Sequence, residues 1–257
     1  MNEPVILLTA CVNPNGMNNT ILQDSNERLR QYCSALEWYL QNTTNKVIFV
    51  ENSGCDISSL FDDSISAGRL EVLTFQGNNY DRCFGKGYGE ALIIEYALEN
   101  SKFIHEGGNI IKITGRLICE NVKRISKRYT DGDTVYGQIM LNPDGSMETL
   151  SQVIVAPALF WESCFVPLKG KINDSTHYWF EHLLFETVQR WTTRGHCFRN
   201  MWIPLALRGV SGTSGMTINT TSIKDALIFY VHYILNRLGY YGAIRLSQSK
   251  KKDNNKT

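Results

Sequence analysis

Short apolar runs and amphipathic stretches alternate through the first half of the chain. VILLTA (5–10) is a continuous apolar run, the pattern of a strand buried on both faces. Asp24 then offers an N-cap, with Glu27 three residues on in capping-box position, and Leu29, Tyr32, Cys33, Leu36 and Leu40 follow at helical spacing. KVIFVE (46–51) reads as a second strand ended by Asn52-Ser53-Gly54, and LEVLTF (70–75) as a third stopped by Gly77-Asn78-Asn79. A helix over 87–99 carries Ala91, Ile94 and Leu98 on one side, and IIKI (110–113) is a fourth strand. The order β-α-β-β-α-β predicts parallel pairing with right-handed crossovers.

After residue 130 the pattern changes. TVYGQIM (134–140) and QVIVAPALFW (152–161) read as strands separated by the turn Asn142-Pro143-Asp144-Gly145, and a hairpin there would make the sheet mixed. A helix from about Ser175 to Trp191 places Phe180, Leu184, Val188 and Trp191 on one face, and a last helix covers roughly Ser222–Leu238. The expectation is an α/β fold with a mixed, mostly parallel central sheet flanked by helices. Residues 1–246 read as one domain, 247–257 as a polar, basic, disordered tail.

Composition narrows the function classes. With 43% hydrophobic and 20% charged residues the chain is an ordinary globular one. A net charge of +1 gives no global pull toward nucleic acid, which argues against a dedicated DNA or RNA binder. The seven cysteines are scattered without a CxxC pair, so reduced thiols in a cytoplasmic protein are the simplest account. MNEPVILLTACVNP lacks a basic n-region and reads as a first strand, not a signal peptide. The longest apolar run, 226–235, is about half the ~20 residues needed to span a bilayer.

Candidate chemistry gathers where strands end. Glu51 closes the second strand, where a carboxylate can accept hydrogen bonds from ribose hydroxyls; the alternative is a solvated turn starter. In GKGYGE (85–90), glycines such as Gly87 let a phosphate approach free backbone NH groups and Lys86 adds charge, although neither a Walker loop nor a well-placed GxGxxG is present. Lys112 lies inside an apolar strand and needs either a partner or an edge position from which to snorkel. Arg116, behind Thr114-Gly115, is placed for a pyrophosphate or carboxylate. Asp131-Gly132-Asp133 is a DxD of the kind that holds Mg²⁺ or Mn²⁺, but SKRYT precedes it and puts both acids in a polar turn. Glu181 and His182, with His177 one turn earlier, offer a general base; a helix-start acid favoured by the dipole is the alternative. Ser211-Gly212-Thr213-Ser214-Gly215 is a flexible, hydroxyl-rich loop that covers a ligand or merely connects two elements.

ENS (51–53), GKGYGE (85–90) and IIKITGRL (110–117) resemble small bacterial glycosyltransferases of O-antigen and capsule gene clusters, of the GT-A, Rossmann-like nucleotide-sugar type. The resemblance covers residues 1–120 well and the rest loosely. It implies a nucleotide-sugar-binding first half and an acceptor-side second half. It further implies that Thr9, Glu51, Lys86 and Arg116, with the neighbouring Asn52, Gly87, Lys112, Thr114 and Gly115, hold the donor, and that Glu181 or His182 is the base. Thr114-Gly115-Arg116 stands where that family carries its DxD, so metal dependence is left open. The implied acceptor is a saccharide or a polyprenyl-linked oligosaccharide. A sugar nucleotidyltransferase is the rival reading, and a non-catalytic nucleotide-sugar-binding module another. For the C-terminus the expectation is peripheral attachment at the inner membrane surface, since Tyr230, Tyr233, Tyr240 and Tyr241 suit an interface and Arg237, Arg245, Lys250, Lys251 and Lys252 would attract anionic lipid; the alternative is a buried core helix followed by a solvated tail.

Overall fold

Five apolar residues and Thr9 make up β1 (Val5–Ala10), every one of them buried. The computed structural model describes residues 3–105, 108–142, 146–212 and 214–237. The other strands are β2 (Val47–Glu51), β3 (Leu70–Thr74), β4 (Asn109–Thr114), β5 (Ile118–Cys119), β6 (Thr134–Gly137), β7 (Ile139–Leu141), β8 (Met147–Thr149), β9 (Val153–Pro157), β10 (Cys197–Asn200), β11 (Leu207–Val210) and β12 (Thr217–Asn219). The helices are α1 (Ser25–Asn42), α2 (Asp62–Ser66), α3 (Gly85–Asn100), α4 (Lys102–His105), α5 (Val122–Arg128), α6 (Ala158–Phe160), α7 (Phe180–Thr193) and α8 (Ile223–Arg237).

The main sheet has seven strands in the order β10-β6-β9-β4-β1-β2-β3. β1 pairs in parallel with β2 and β4, and β2 with β3. β9 runs antiparallel to both β4 and β6, while β10 pairs in parallel with β6. The expected α/β fold with a mixed, mostly parallel sheet is therefore what the chain forms. Strands buried on both faces need no polar alternation, which is why β1, β2 and β4 read as apolar runs. Ile6, Leu8 and Phe49 pack against Tyr32, Leu36 and Tyr39 of α1. On the opposite face Leu7, Ile48 and Val50 pack with Ile94 and Ala97 of α3 and with Phe160, Trp161, Leu184 and Trp191. Each fully buried Leu, Ile or Phe is worth roughly 1.5–3 kcal/mol relative to exposure, so these two layers hold the sheet edges in place.

Several boundaries differ from the sequence reading, each for a local reason. Asp24 does cap α1, accepting from the Glu27 backbone NH at 2.9 Å. The apolar run 152–161 is not one strand: it turns at Pro157 into α6, which continues as a π turn (Trp161–Phe165) and a 3₁₀ stretch (Val166–Lys171). Its aromatic residues pack as helix, not strand, because they lie over the sheet instead of within it. The helix expected from Ser175 begins only at Phe180. A 3₁₀ turn (Asp174–Thr176), a left-handed His177 (φ 56°) and an Asn173–Tyr178 bridge precede it, so His177 is not on the helix. TVYGQIM divides into β6 and β7, and β7 pairs with β8 away from the main sheet. Pro143, Asp144 and Gly145 lie outside the described residues, as do Leu238, the tail 247–257 and the basic and aromatic positions Tyr240, Tyr241, Arg245 and Lys250–Lys252. Among the described residues no helix is long and apolar enough to cross a membrane.

Candidate active site

Parallel strands deliver their C-terminal ends, and the helix starts that follow them, to one edge of the sheet. At that edge stand Thr9 of β1, Glu51 of β2, Thr114 of β4, the start of α3 and, because β9 is antiparallel, Ser151 just before it. Lys112 is the interior cation. It is fully buried at 0% exposure, opposite Leu7 and Ile154 in the ladder. Its Nζ lies 2.5 Å from Glu90 Oε1 of α3 and donates to the Ser151 carbonyl at 2.6 Å. Thr9 Oγ1 donates to the same Glu90 oxygen at 2.8 Å. A buried lysine with an ion pair and a carbonyl acceptor is satisfied, so Lys112 is spoken for by the protein and orients Glu90. The same holds for Thr9, whose hydroxyl faces Glu90, not open space.

Glu51 departs from the ribose role. It is fully buried, and its two oxygens take backbone NH bonds from Val12 (2.7 Å), Ser53 (2.9 Å) and Cys55 (2.8 Å) and the Ser53 hydroxyl (2.5 Å). A carboxylate with four donors has no oxygen left for a sugar hydroxyl. Glu51 instead ties the loops after β1 and β2 together. Asn52 is buried beside it, with its Nδ2 reaching the Gly89 carbonyl at 3.4 Å and its Oδ1 without a partner.

The glycines of 85–90 also act differently from a phosphate cradle. They lie inside α3, not in a loop before it. A Cβ on Gly87 would come within 2.9 Å of Phe180 Cβ, so this glycine lets α3 close on the start of α7. Gly85 faces the Asp174 carboxylate, which thereby sits at the α3 N-terminus, where the helix dipole favours negative charge. Asn19 Nδ2 donates to that carboxylate at 3.1 Å. Lys86 reaches the Asn19 carbonyl at 3.5 Å. Burial lowers the Lys86 ammonium below the usual lysine range; Glu181, Glu90 and Asp174 oppose that shift and Arg116 reinforces it.

Arg116 stands just past the end of β4, where the sequence pattern places it. Gly115 lets the chain turn against β1, for its NH meets the Thr9 carbonyl at 3.0 Å and a Cβ would lie 2.6 Å from that oxygen. The turn delivers Arg116 to the sheet edge at 7% exposure, over the Tyr32 ring and with Nη1 donating to Gln31 at 3.3 Å. Its Nε is buried without a partner. Thr114 itself is half-buried and its NH is held by the Gln152 carbonyl. Two further arginines, not evident from the sequence pattern, stand nearby. Arg28 of α1 donates to the Cys11 carbonyl through Nε and Nη2, and Arg82 has a buried Nη1 without a partner. Burial pushes the Cys11 thiol up to about 11; Arg28, Arg116 and Arg82 pull it down and Glu51 pushes it up. Among the described residues none of these arginines has a carboxylate within ion-pair distance. A planar guanidinium can bind an oxyanion in bidentate fashion.

Glu181 is the second residue of α7 and accepts a hydrogen bond from Ser151 Oγ at 2.5 Å. Because Ser151 also binds Lys112 through its carbonyl, Glu181 joins the Thr9–Glu90–Lys112 chain. His182 turns its Nδ1 to the Trp179 backbone NH at 3.2 Å and stacks on the Trp179 ring, which caps the helix. Glu181 also favours the charged form of Lys86. Gly212 lies against Arg116: a Cβ there would lie 2.2 Å from its Nη2, and the Gly212 carbonyl accepts from the Ile21 NH at 3.3 Å.

Asp131 and Asp133 lie at the other end of the sheet. The Asn109 side chain, at the start of β4, donates to the Asp131 carbonyl at 3.0 Å. Asp131 accepts from the Asp133 NH and the Thr134 hydroxyl in a turn that opens β6, and those bonds hold its carboxyl below the usual range. Asp133 pairs with His196. These acids therefore cannot hold a metal on a ligand bound beside Arg116. At the end of β4 the side chain presented is a guanidinium, which does not fit Mg²⁺ or Mn²⁺, ions that require oxygen ligands.

No protein-family profile matches the chain, and no curated protein does. Among solved structures it is similar to HddC from Yersinia pseudotuberculosis, at 13% identity over 89% of this chain and 99% of that chain, with a TM-score of 0.38. It is also similar to the inositol-1-phosphate CTP transferase from T. maritima, at 9% identity over 89% of this chain and 95% of that chain, with a TM-score of 0.43. A third is mouse xyloside xylosyltransferase 1 in its apo form, at 11% identity over 78% of this chain and 85% of that chain, with a TM-score of 0.41. Likenesses at this level assign no family.

Proposed function

We propose that this protein is a glycosyltransferase that moves a sugar from a nucleotide-sugar donor to a saccharide acceptor. The observation that carries the reading is Arg116, a shielded guanidinium with an unpartnered Nε and, among the described residues, no carboxylate within ion-pair distance, while Glu181 and Arg116 both act on the Lys86 charge. A bound pyrophosphate would supply the missing counter-charge, with Arg116 gripping it in bidentate fashion. As the acceptor hydroxyl oxygen bonds to the anomeric carbon, its proton passes to Glu181. The bond to the nucleotide breaks, and the negative charge left on the phosphate is stabilised by Arg116, Arg82 and Lys86. No metal is assigned a step.

The finer reading is a lipid-linked acceptor in bacterial surface polysaccharide synthesis, with the enzyme attached peripherally to the inner face of the membrane. It is supported by the resemblance in residues 51–53, 85–90 and 110–117 and by the apolar character of α8.

Thermal unfolding of the purified chain against UDP-, GDP-, dTDP- and CMP-linked sugars tests the donor assignment, since a ligand that binds only the folded state raises the melting temperature with its concentration. The expected result is stabilisation by one nucleotide-sugar series, lost in Arg116→Ala. Stabilisation by nucleoside triphosphates alone, with pyrophosphate release when a sugar phosphate is added, would replace this reading with a nucleotidyltransferase. Donor binding without transfer to any acceptor saccharide would leave a binding module.

A further inference from the structure

Helix α8 presents an apolar stripe to solvent. Ile223, Leu227, Tyr230, Val231 and Ile234 fall on one side at helical spacing, and all five are exposed, Ile223 at 82% and Leu227 at 62%. Phe229 and Tyr233 lie on the side turned to the protein and are half-buried. Such a stripe in water would ordinarily be buried against another surface.

A second observation identifies the surface. Lys123, Arg124, Lys127 and Arg128 all lie on the exposed face of α5, while Val122, Ile125 and Ser126 anchor the helix inward. Among the described residues none of these four cations has an ion-pair partner. Arg124 and Arg128 lie over the Trp202 ring at 5.3 and 5.8 Å, which holds them in place without neutralising them. The two helices adjoin: Arg128, Arg199, Trp202 and Tyr233 line one cavity of about 340 Å³.

We infer that α5 and α8 together form one docking surface for an anionic lipid bilayer. The α8 stripe lies in the plane of the headgroup–acyl boundary, as an interfacial amphipathic helix does, and the α5 cations rest on lipid phosphates. Aromatic Trp202 and Tyr233, apolar with a polar edge, sit at the level between them. Charge complementarity selects this occupant over a second copy of the chain, since two copies meeting here would bring eight unpaired cations of α5 together. The surface deepens the reading of a lipid-linked acceptor and rests on it only for its purpose.

Co-sedimentation of the full chain with vesicles tests it without donor or acceptor. The chain is expected to bind vesicles of phosphatidylcholine mixed with phosphatidylglycerol, not phosphatidylcholine alone, and binding should weaken as salt screens the phosphates. Leu227→Asp with Val231→Asp should lower binding at least tenfold, and so should Lys127→Glu with Arg128→Glu. All four positions are exposed, so melting temperature and donor-induced stabilisation should stay unchanged; this separates failure of the surface from failure of the donor assignment. Equal binding to both vesicle types, no binding to either, or binding unaffected by both pairs of substitutions would overturn the proposal. So would light scattering that finds a dimer in the full chain and a monomer in Leu227→Asp with Val231→Asp, because a second copy would then cover α8.

Discussion

The two ends of the central sheet carry similar residue types in opposite states of satisfaction. At the N-terminal end of β4 and β6, Asp131 is held by its own turn and Asp133 by His196, so both carboxylates have local partners. At the opposite end, Glu90, Lys112, Ser151 and Glu181 form a chain of contacts, yet Arg116 and Arg82 keep buried nitrogens unpartnered. A shielded polar atom without a partner costs stability, and it persists where something other than folding uses it. The DxD that looks like chemistry in the sequence is therefore a structural turn, whereas the arginine behind the Thr-Gly turn keeps a buried nitrogen without a partner.

Substitutions at both ends of the sheet and one titration probe that contrast. Glu181→Gln keeps the shape of the side chain that accepts from Ser151 but removes the base, so turnover should fall by roughly 10²–10⁴-fold with donor affinity kept. A variant of near-normal turnover would falsify the assignment and move attention to Asp174. Lys112→Met leaves Glu90 facing a buried apolar group, and thermal or urea unfolding should show a loss of about 3–5 kcal/mol. Adding Glu90→Gln should recover part of that loss; if the double variant is no better than the single, the two side chains do not act as a pair.

Arg116→Lys should weaken donor binding by about 1.5–3 kcal/mol, tenfold or more, because a point charge cannot replace a two-pronged donor. Calorimetry showing unchanged affinity would remove Arg116 from the site. Burial lowers the Lys86 pKa, so Lys86 loses its proton, and the site a positive charge, at lower pH than an ordinary lysine would. Donor affinity should accordingly decline as pH rises through the alkaline range, and Lys86→Arg should abolish that decline. At the opposite end of the sheet Asp133→Asn should cost less than about 1 kcal/mol and leave turnover untouched, as expected of a pair in which Asp133 is 62% exposed. Loss of activity in that variant, copied by chelation and restored by Mn²⁺, would reverse the comparison between the two ends.

The sequence by itself determined the central layer. β1, β2 and β4 were legible because strands buried on both faces need unbroken apolar runs, and the Asp24 cap because one side chain and one backbone NH make it. Arg116 was legible for the same reason, since a strand end followed by Thr-Gly is a local signal. Tertiary structure decided the rest. Whether Lys112 meets a ligand or a carboxylate depends on Glu90, which reaches it from another element. Glu51 had the right position for a ribose contact, but the loops after β1 and β2 wrap around it and consume both oxygens. Gly87 was a phosphate candidate until Phe180 closed on it, and Arg28 gave no signal because the Cys11 carbonyl it binds lies on another element. Periodicity reports which face of an element is buried. It carries no information about what comes to lie against that face, and in this protein that meeting is what separates a structural charge from a free one.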